Sequence, residues 1–236
     1  MGEKSIAVLP FESLSDNKSD AYFADGVHDE ILNNLAKIAQ LKVISRTSVM
    51  HYRADTNRDL RQIANTLGVA NILEGTVRRS GNHVRISTEL VNARNDSTVW
   101  ADSYDRDLTD IFAIQSEIAQ TIASKLTAAL SPEEKKRIEA RLTDNLEAYD
   151  LYLRANRLIR LNAFVVGTSL VGGIIEKPFN EAVSLLDQAL RLDPKFTLAY
   201  CAAARVNAAR MPATTRVRKP TSSNAPAPIS ITTVMT

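Results

Sequence analysis

Hydrophobic and polar positions recur along the chain with two periods, and the switches between them lay out the elements. Ser5-Ile6-Ala7-Val8-Leu9 is a short apolar run stopped by Pro10, the pattern of a buried strand. Glu12 to Asp20 is rich in Ser, Asp and Asn and reads as loop. From Tyr22 to Gln40, Val27, Ile31, Leu35 and Ile38 recur every three or four positions and share one face of a helix. Lys42 to Arg46 reads as a second short strand. Leu60, Ile63, Ala64 and Leu67 mark a second helix, with Gly68 where left-handed backbone ends it. Past Gly68 the period falls to two. Val69–Arg79 and His83–Ala93 become strands around a Ser80-Gly81-Asn82 turn. In the second of them Val84, Ile86, Thr88 and Leu90 alternate with Arg85, Ser87 and Glu89. Thr98–Tyr104 is a fifth strand and carries Trp100.

The helical period then returns and stays. Ile111, Ile114, Ile118, Ile122 and Leu126 stripe a helix from about Thr109 to Leu130, with Asp107 and Thr109 both suited to cap it. The order β-α-β-α-β-β-β predicts a mixed sheet that needs helices on its face. Ser131-Pro132-Glu133-Glu134 restarts a helix, with serine at the cap, proline in the first turn and acids behind it. Pro132 is the expected domain boundary, because only helical patterns follow it. The last 26 residues, Met211–Thr236, hold four of the eight prolines and no acidic residue or glycine, and read as a disordered tail.

Composition narrows the function. The 236 residues are 44% hydrophobic and 24% charged, enough to bury a core. Twenty-nine basic against 27 acidic residues leave a formal charge of +2, too balanced for a dedicated nucleic-acid binder. Cys201 is the sole cysteine, so an internal disulfide or a cysteine metal cluster is excluded. Histidines only at 28, 51 and 83 argue against a histidine-rich metal site. The run Ile6–Leu9 is too short for a secretory signal. Phe164–Ile175, broken by Gly167, Gly172 and Gly173, falls short of the roughly 20 apolar residues that span a bilayer. The expectation is a cytoplasmic chain with no membrane span and no cofactor.

Candidate chemistry is sparse. Asp102, Asp105, Asp107 and Asp110 cluster, but Arg106 offsets them and no calcium-loop pattern surrounds them; caps and loop solvation account for them. Asp25-Gly26 reads as a turn and cap ahead of a helix, since no Gly-rich phosphate cradle accompanies it. His28 beside Asp29 and Glu30 reads as an exposed helix histidine, because no nucleophile or metal motif joins it. Arg78, Arg79 and Arg85 flank the hairpin, and with Lys42 and Arg46 they outline a basic face without stacking aromatics. No catalytic or metal residue is assigned. The candidate partner-binding residues are Trp100, Tyr104, Arg78, Arg79 and Tyr152.

Four stretches resemble a known family. They are Ser5–Phe11 (SIAVLPF), Tyr22–Gly26 (YFADG), Leu73–Arg78 (LEGTVR) and Trp100–Leu108 (WADSYDRDL) running on to Asp110–Gln115 (DIFAIQ). Together they resemble the TolB-like domain, over about residues 4 to 130. The resemblance implies an α/β, three-layer domain with a five-stranded mixed sheet in which only the fourth strand is antiparallel. Downstream, Ala182, Leu186, Ala189 and Pro194 resemble the second helix of a tetratricopeptide repeat and its proline, with Leu151, Ala155 and Leu158 as a first helix. The 24 positions from Leu158 to Ala182 exceed the normal repeat, so the all-α helical-repeat segment is degenerate.

The expected organisation is therefore residues 1–130 as the α/β domain, 131–210 as the helical segment and 211–236 as the tail. The resemblance implies a non-enzymatic accessory or regulatory module with a protein partner in bacterial signalling. The alternative is the regulatory remnant of a class III adenylate cyclase, or of a winged-helix regulator, with no catalytic core and no nucleic-acid-reading element in this chain.

Overall fold

The computed structural model describes residues 2–15, 20–53, 59–166 and 176–210, except the side chains of 162–166, 176–177 and 209–210. Among them six strands form one sheet: β1 (Ser5–Val8), β2 (Glu12–Ser13), β3 (Lys42–Val43), β4 (Asn71–Ser80), β5 (His83–Asn92) and β6 (Ser97–Asp107). The helices are α1 (Ala21–Ala36), α2 (Arg46–Val49), α3 (Leu60–Leu67), α4 (Ile111–Lys125), α5 (Pro132–Glu139), α6 (Leu146–Val166), α7 (Glu176–Leu192) and α8 (Thr197–Arg210). The tail expected over Met211–Thr236 lies outside the described residues.

The sheet order is β3-β1-β4-β5-β6, with β2 also on β4. All pairings are parallel except those of β5 with β4 and β6. The sixth strand corrects the expected count of five. β1 pairs with β4 at Asn71–Leu73, and β2 pairs with the same edge farther on, at Thr76 and Val77. Pro10 stands between them and has no N–H to donate, so one extended segment becomes two strands. Glu12-Ser13 carries no apolar alternation, which is why it reads as loop.

Other boundaries move for local reasons. The second strand stops at Val43, because Ser45 caps α2 by accepting a bond from the Ser48 amide (3.5 Å). β6 extends to Asp107, and α4 starts at Ile111 after a 3₁₀ turn over Leu108–Asp110. Neither Asp107 nor Thr109 caps α4; Asp110 holds that position without a side-chain bond. The helix ends at Lys125, five residues early, where Thr127 takes left-handed backbone (φ 51°) with no glycine to announce it. Gly68 ends α3 as expected at φ 69°, and Gly81 opens the β4–β5 turn at φ 58°.

Alternation along β1 sorts the core onto both sheet faces. Ile6 and Val8 point to the layer containing α1 and α4, whereas Ala7 and Leu9 point to Val49, Ile63 and Ala64 of α2 and α3. That makes three layers. The larger core runs on without a break into Ile138 of α5, Tyr149, Tyr152 and Leu153 of α6, Phe179 and Ala182 of α7, and Ala199 and Val206 of α8.

Polar contacts also cross Pro132. Ser131 and Glu134 form a reciprocal capping box, and Glu134 Oε1 also accepts the amide of Ala39 (2.8 Å). Ser116 donates to the Ile138 carbonyl (2.8 Å). Among the described residues no helix is long and apolar enough to cross a membrane.

Candidate functional site

The charged residues of α1 gather where α6 packs across it. Tyr22, Asp25, Gly26 and Asp29 stand at positions i, i+3, i+4 and i+7 and share one helix face. Gly26 sits inside α1, which corrects its reading, with Asp25, as a turn ahead of the helix. A glycine in a helix interior costs about 0.5–1 kcal/mol relative to alanine. The compensation is close packing, since a Cβ at position 26 would stand 2.5 Å from Leu153 Cδ2 and 2.7 Å from its Cδ1. Gly26→Val is expected to lower stability in urea denaturation by about 1–3 kcal/mol, the usual cost of overpacking. Leu153→Ala in the same chain should recover part of that loss, and additive losses would refute the clash.

Two carboxylates organise this junction. Asp29 accepts from Arg46 of α2 and Arg160 of α6 and lies 3.4 Å from His28 Nδ1. Burial works to raise its carboxyl, but the bond from His28 and the charges of Arg160 and Arg46 outweigh it and hold it below the ordinary carboxylate range. Asp150 of α6 accepts from Tyr22 Oη (2.6 Å) and Arg79 Nη1 (2.6 Å) and pairs with Arg154 (2.8 Å). Burial, then the bond to Asp150, pushes the Tyr22 phenol up. Asp25 pairs with Arg53.

His28 is 1% exposed, a correction to the exposed reading. Its Nε2 lies 3.0 Å from the Val8 carbonyl, so it ties α1 to β1. Glu30 is buried as well; burial first and then the Asp29 charge push its carboxyl up to about 7.

The five candidate partner-binding residues do not converge. Arg78 is exposed and donates to the Leu14 carbonyl (3.2 Å). Arg79 instead joins Asp150 and lies over the Phe23 ring at 5.2 Å. Trp100, on β6 at the sheet edge, is half-buried against the main core, and Tyr104 is 5% exposed. Tyr152 is 7% exposed and packs on Phe196, ring centroids 5.0 Å apart.

The opposite face of β4–β6 is uncovered. An open depression there is lined by Glu74, Thr76, Ser87, Glu89 and Ser103. The register sets Arg78 opposite Arg85, and Glu74 opposite Glu89. Of the aspartate cluster, Asp105 faces Arg85 (3.9 Å) and Asp107 faces His83 (3.1 Å). Among the described residues no group of three or more His, Cys, Asp or Glu is placed to hold a metal ion.

The sequence alone singled out Asp25, Gly26, His28, Asp29, Arg46 and Arg79 separately but missed Arg53, the partner of Asp25, Arg160, a partner of Asp29, and Asp150, the partner of Arg79. The signal for α6 was available in the spacing of Asp150, Leu153, Arg157 and Arg160, one polar-edged helix stripe. Nothing local announced Arg53.

The chain is similar to several known proteins. A curated protein of Rhizobium meliloti (strain 1021), named "Putative adenylate cyclase 3", is 37% identical over 197 residues, 83% of this chain and 31% of its own length. The chain thus spans about a third of that relative. Among solved structures, TolB from Acinetobacter baumannii aligns over 56% of this chain and 30% of its own, at 13% identity and a TM-score of 0.42. Lipoprotein GNA1162 from Neisseria meningitidis aligns over 54% and 99%, at 18% identity and a TM-score of 0.39. The family model of the HilA/YgeH-like transcriptional regulator, second domain, matches residues 2–122. That match covers more than half of the sequence, and the chain belongs to the family of HilA/YgeH-like transcriptional regulator second domains.

Proposed function

We propose that this chain is a non-enzymatic regulatory module that binds a protein partner in bacterial signalling and serves an effector domain. One observation carries the reading. The same sequence matches the second domain of a transcriptional regulator family and about a third of a relative named as a putative adenylate cyclase. A module that stands beside two unlike effectors fits regulation better than a chemistry of its own. The cyclase-remnant reading is favoured by the extent of that relative, since 197 matched residues must run well past residue 122 into the helices.

The division at 1–130, 131–210 and 211–236 belongs to this proposal. So does the tetratricopeptide-like character of α6–α8, supported by Ala182, Leu186 and Ala189 at 0% exposure. The proposed partner surface is the uncovered face of β4–β6. Unlike Tyr104 and Tyr152, Arg78 is open to contact there, and Trp100 marks its edge strand. Like charges directly opposite one another on a sheet are unfavourable, and a partner of complementary charge would relieve them.

The test is capture by the intact chain, read by mass spectrometry, against Arg78→Glu/Arg85→Glu. The expected result is a specific partner lost with the double variant, and no cyclic AMP from ATP with Mg²⁺ or Mn²⁺. Cyclic AMP formed by the pure chain overturns the non-enzymatic reading, and capture indifferent to the substitutions overturns the surface.

A further inference from the structure

We propose that the cleft between α1, α2 and α6 is a binding site for a small organic anion, a carboxylate or phosphate monoester on an apolar body. The proposal adds a ligand to the regulatory reading without resting on it.

Three helical segments contribute one face each to a cavity of about 400 Å³. Asp25 and Asp29 come from α1, Arg46, Met50 and Arg53 from α2 and the turn after it, and Leu153, Arg157, Arg160 and Leu161 from α6. The volume lies in the lower part of the range of small-ligand pockets, about 300–1,000 Å³. It suits a metabolite rather than a peptide.

Charge chooses the ligand's sign. Four arginines line the cavity against two aspartates. Asp29 is engaged by Arg46 and Arg160, and Asp25 by Arg53. Arg157 is left over, and its Nη1 is buried without a hydrogen-bond partner among the described residues. A buried guanidinium N–H with nothing to donate to is unfavourable, and a planar oxyanion is its natural complement. Asp25 and Asp29 are already bound to cations, so they repel an incoming anion less than free carboxylates would. Met50, Leu153 and the 60% exposed Leu161 supply apolar wall, so the ligand carries a hydrophobic body behind its charge.

The experiment is titration calorimetry on the full chain with benzoate and phenyl phosphate, against neutral benzamide and inorganic phosphate. Benzoate or phenyl phosphate should bind, and benzamide should not. Arg157→Gln should weaken binding by at least about tenfold, the worth of one charge-assisted hydrogen bond. Leu161→Asp changes an exposed side chain at the cavity wall and keeps the fold, so it carries the test should Arg157→Gln fail to fold; it should weaken binding by repulsion. Lys125→Gln, an exposed position at the end of α4 outside the cavity lining, should leave binding unchanged. Equal binding of benzamide, binding of inorganic phosphate that survives both cavity variants, or no binding of either aromatic anion overturns the proposal.

Discussion

Asp29→Ala should destabilise the protein by about 3 kcal/mol at neutral pH, at the low end of the cost of removing one partner of a buried ion pair. The carboxylate is 11% exposed and is the common acceptor for Arg46 and Arg160. Removing it leaves the guanidinium groups of Arg46 and Arg160 without the carboxylate they share at the junction of α1, α2 and α6. The low end applies because Arg46 and Arg160 keep 28% and 37% of their side-chain surface, so solvent takes up part of the loss. The pH dependence has a definite sign. The folded carboxyl lies below its unfolded value of 3.8, so the stability it contributes is present above that pH. It is lost as pH falls through the folded value. Urea denaturation of parent and variant at neutral pH and near pH 3 checks both statements. A neutral-pH difference under about 1 kcal/mol, typical of a surface pair, or one that fails to shrink in acid refutes the assignment.

The fold was legible where physics is local. The alternation of Ile6, Ala7, Val8 and Leu9 names a strand buried on both faces, and both layers are there. Gly68 and the Ser131–Glu134 box declare helix ends through backbone chemistry that needs no distant partner. What failed to show was set at long range. Glu12-Ser13 is a strand because β4 offers ten residues of edge, more than β1 uses. His28 looks solvent-ready in the sequence, but in the fold it is buried and meets the Val8 carbonyl and the Phe11 ring. Arg79 reads as half of a basic hairpin with Arg78, yet strand alternation sends the two to opposite faces, and Asp150, 71 residues on, claims Arg79. The site was legible as a list of charges on α1. Which of them pair, and which guanidinium is left over, depends on where α6 lands, and Gly26 governs that by letting Leu153 approach.

Glu30→Gln should make the protein more stable above neutral pH. Glu30 is one helix position from Asp29, yet its carboxyl moves the other way, from 4.5 up to about 7. Burial is the main cause and the Asp29 charge the second; Lys37 and the Asn33 amide at 3.5 Å offset only part of it. The folded state therefore keeps a proton that the unfolded chain releases between those two values. The stabilisation is fully present below pH 4.5 and is lost as pH rises to about 7. At 1.36 kcal/mol per tenfold change in proton affinity, the loss is roughly 3 kcal/mol. Glutamine keeps the shape and has no proton to lose, so the variant should gain most of that amount at pH 8 and match the parent in acid. Taking the difference between the two proteins at each pH cancels the titrating groups that do not interact with Glu30. A difference that is flat from pH 5 to 8, or a variant weaker than the parent at pH 8, defeats the prediction. The Asp29 effect falls below 3.8 and the Glu30 effect above 4.5, so a single stability profile separates two neighbours that one buried junction drives in opposite directions.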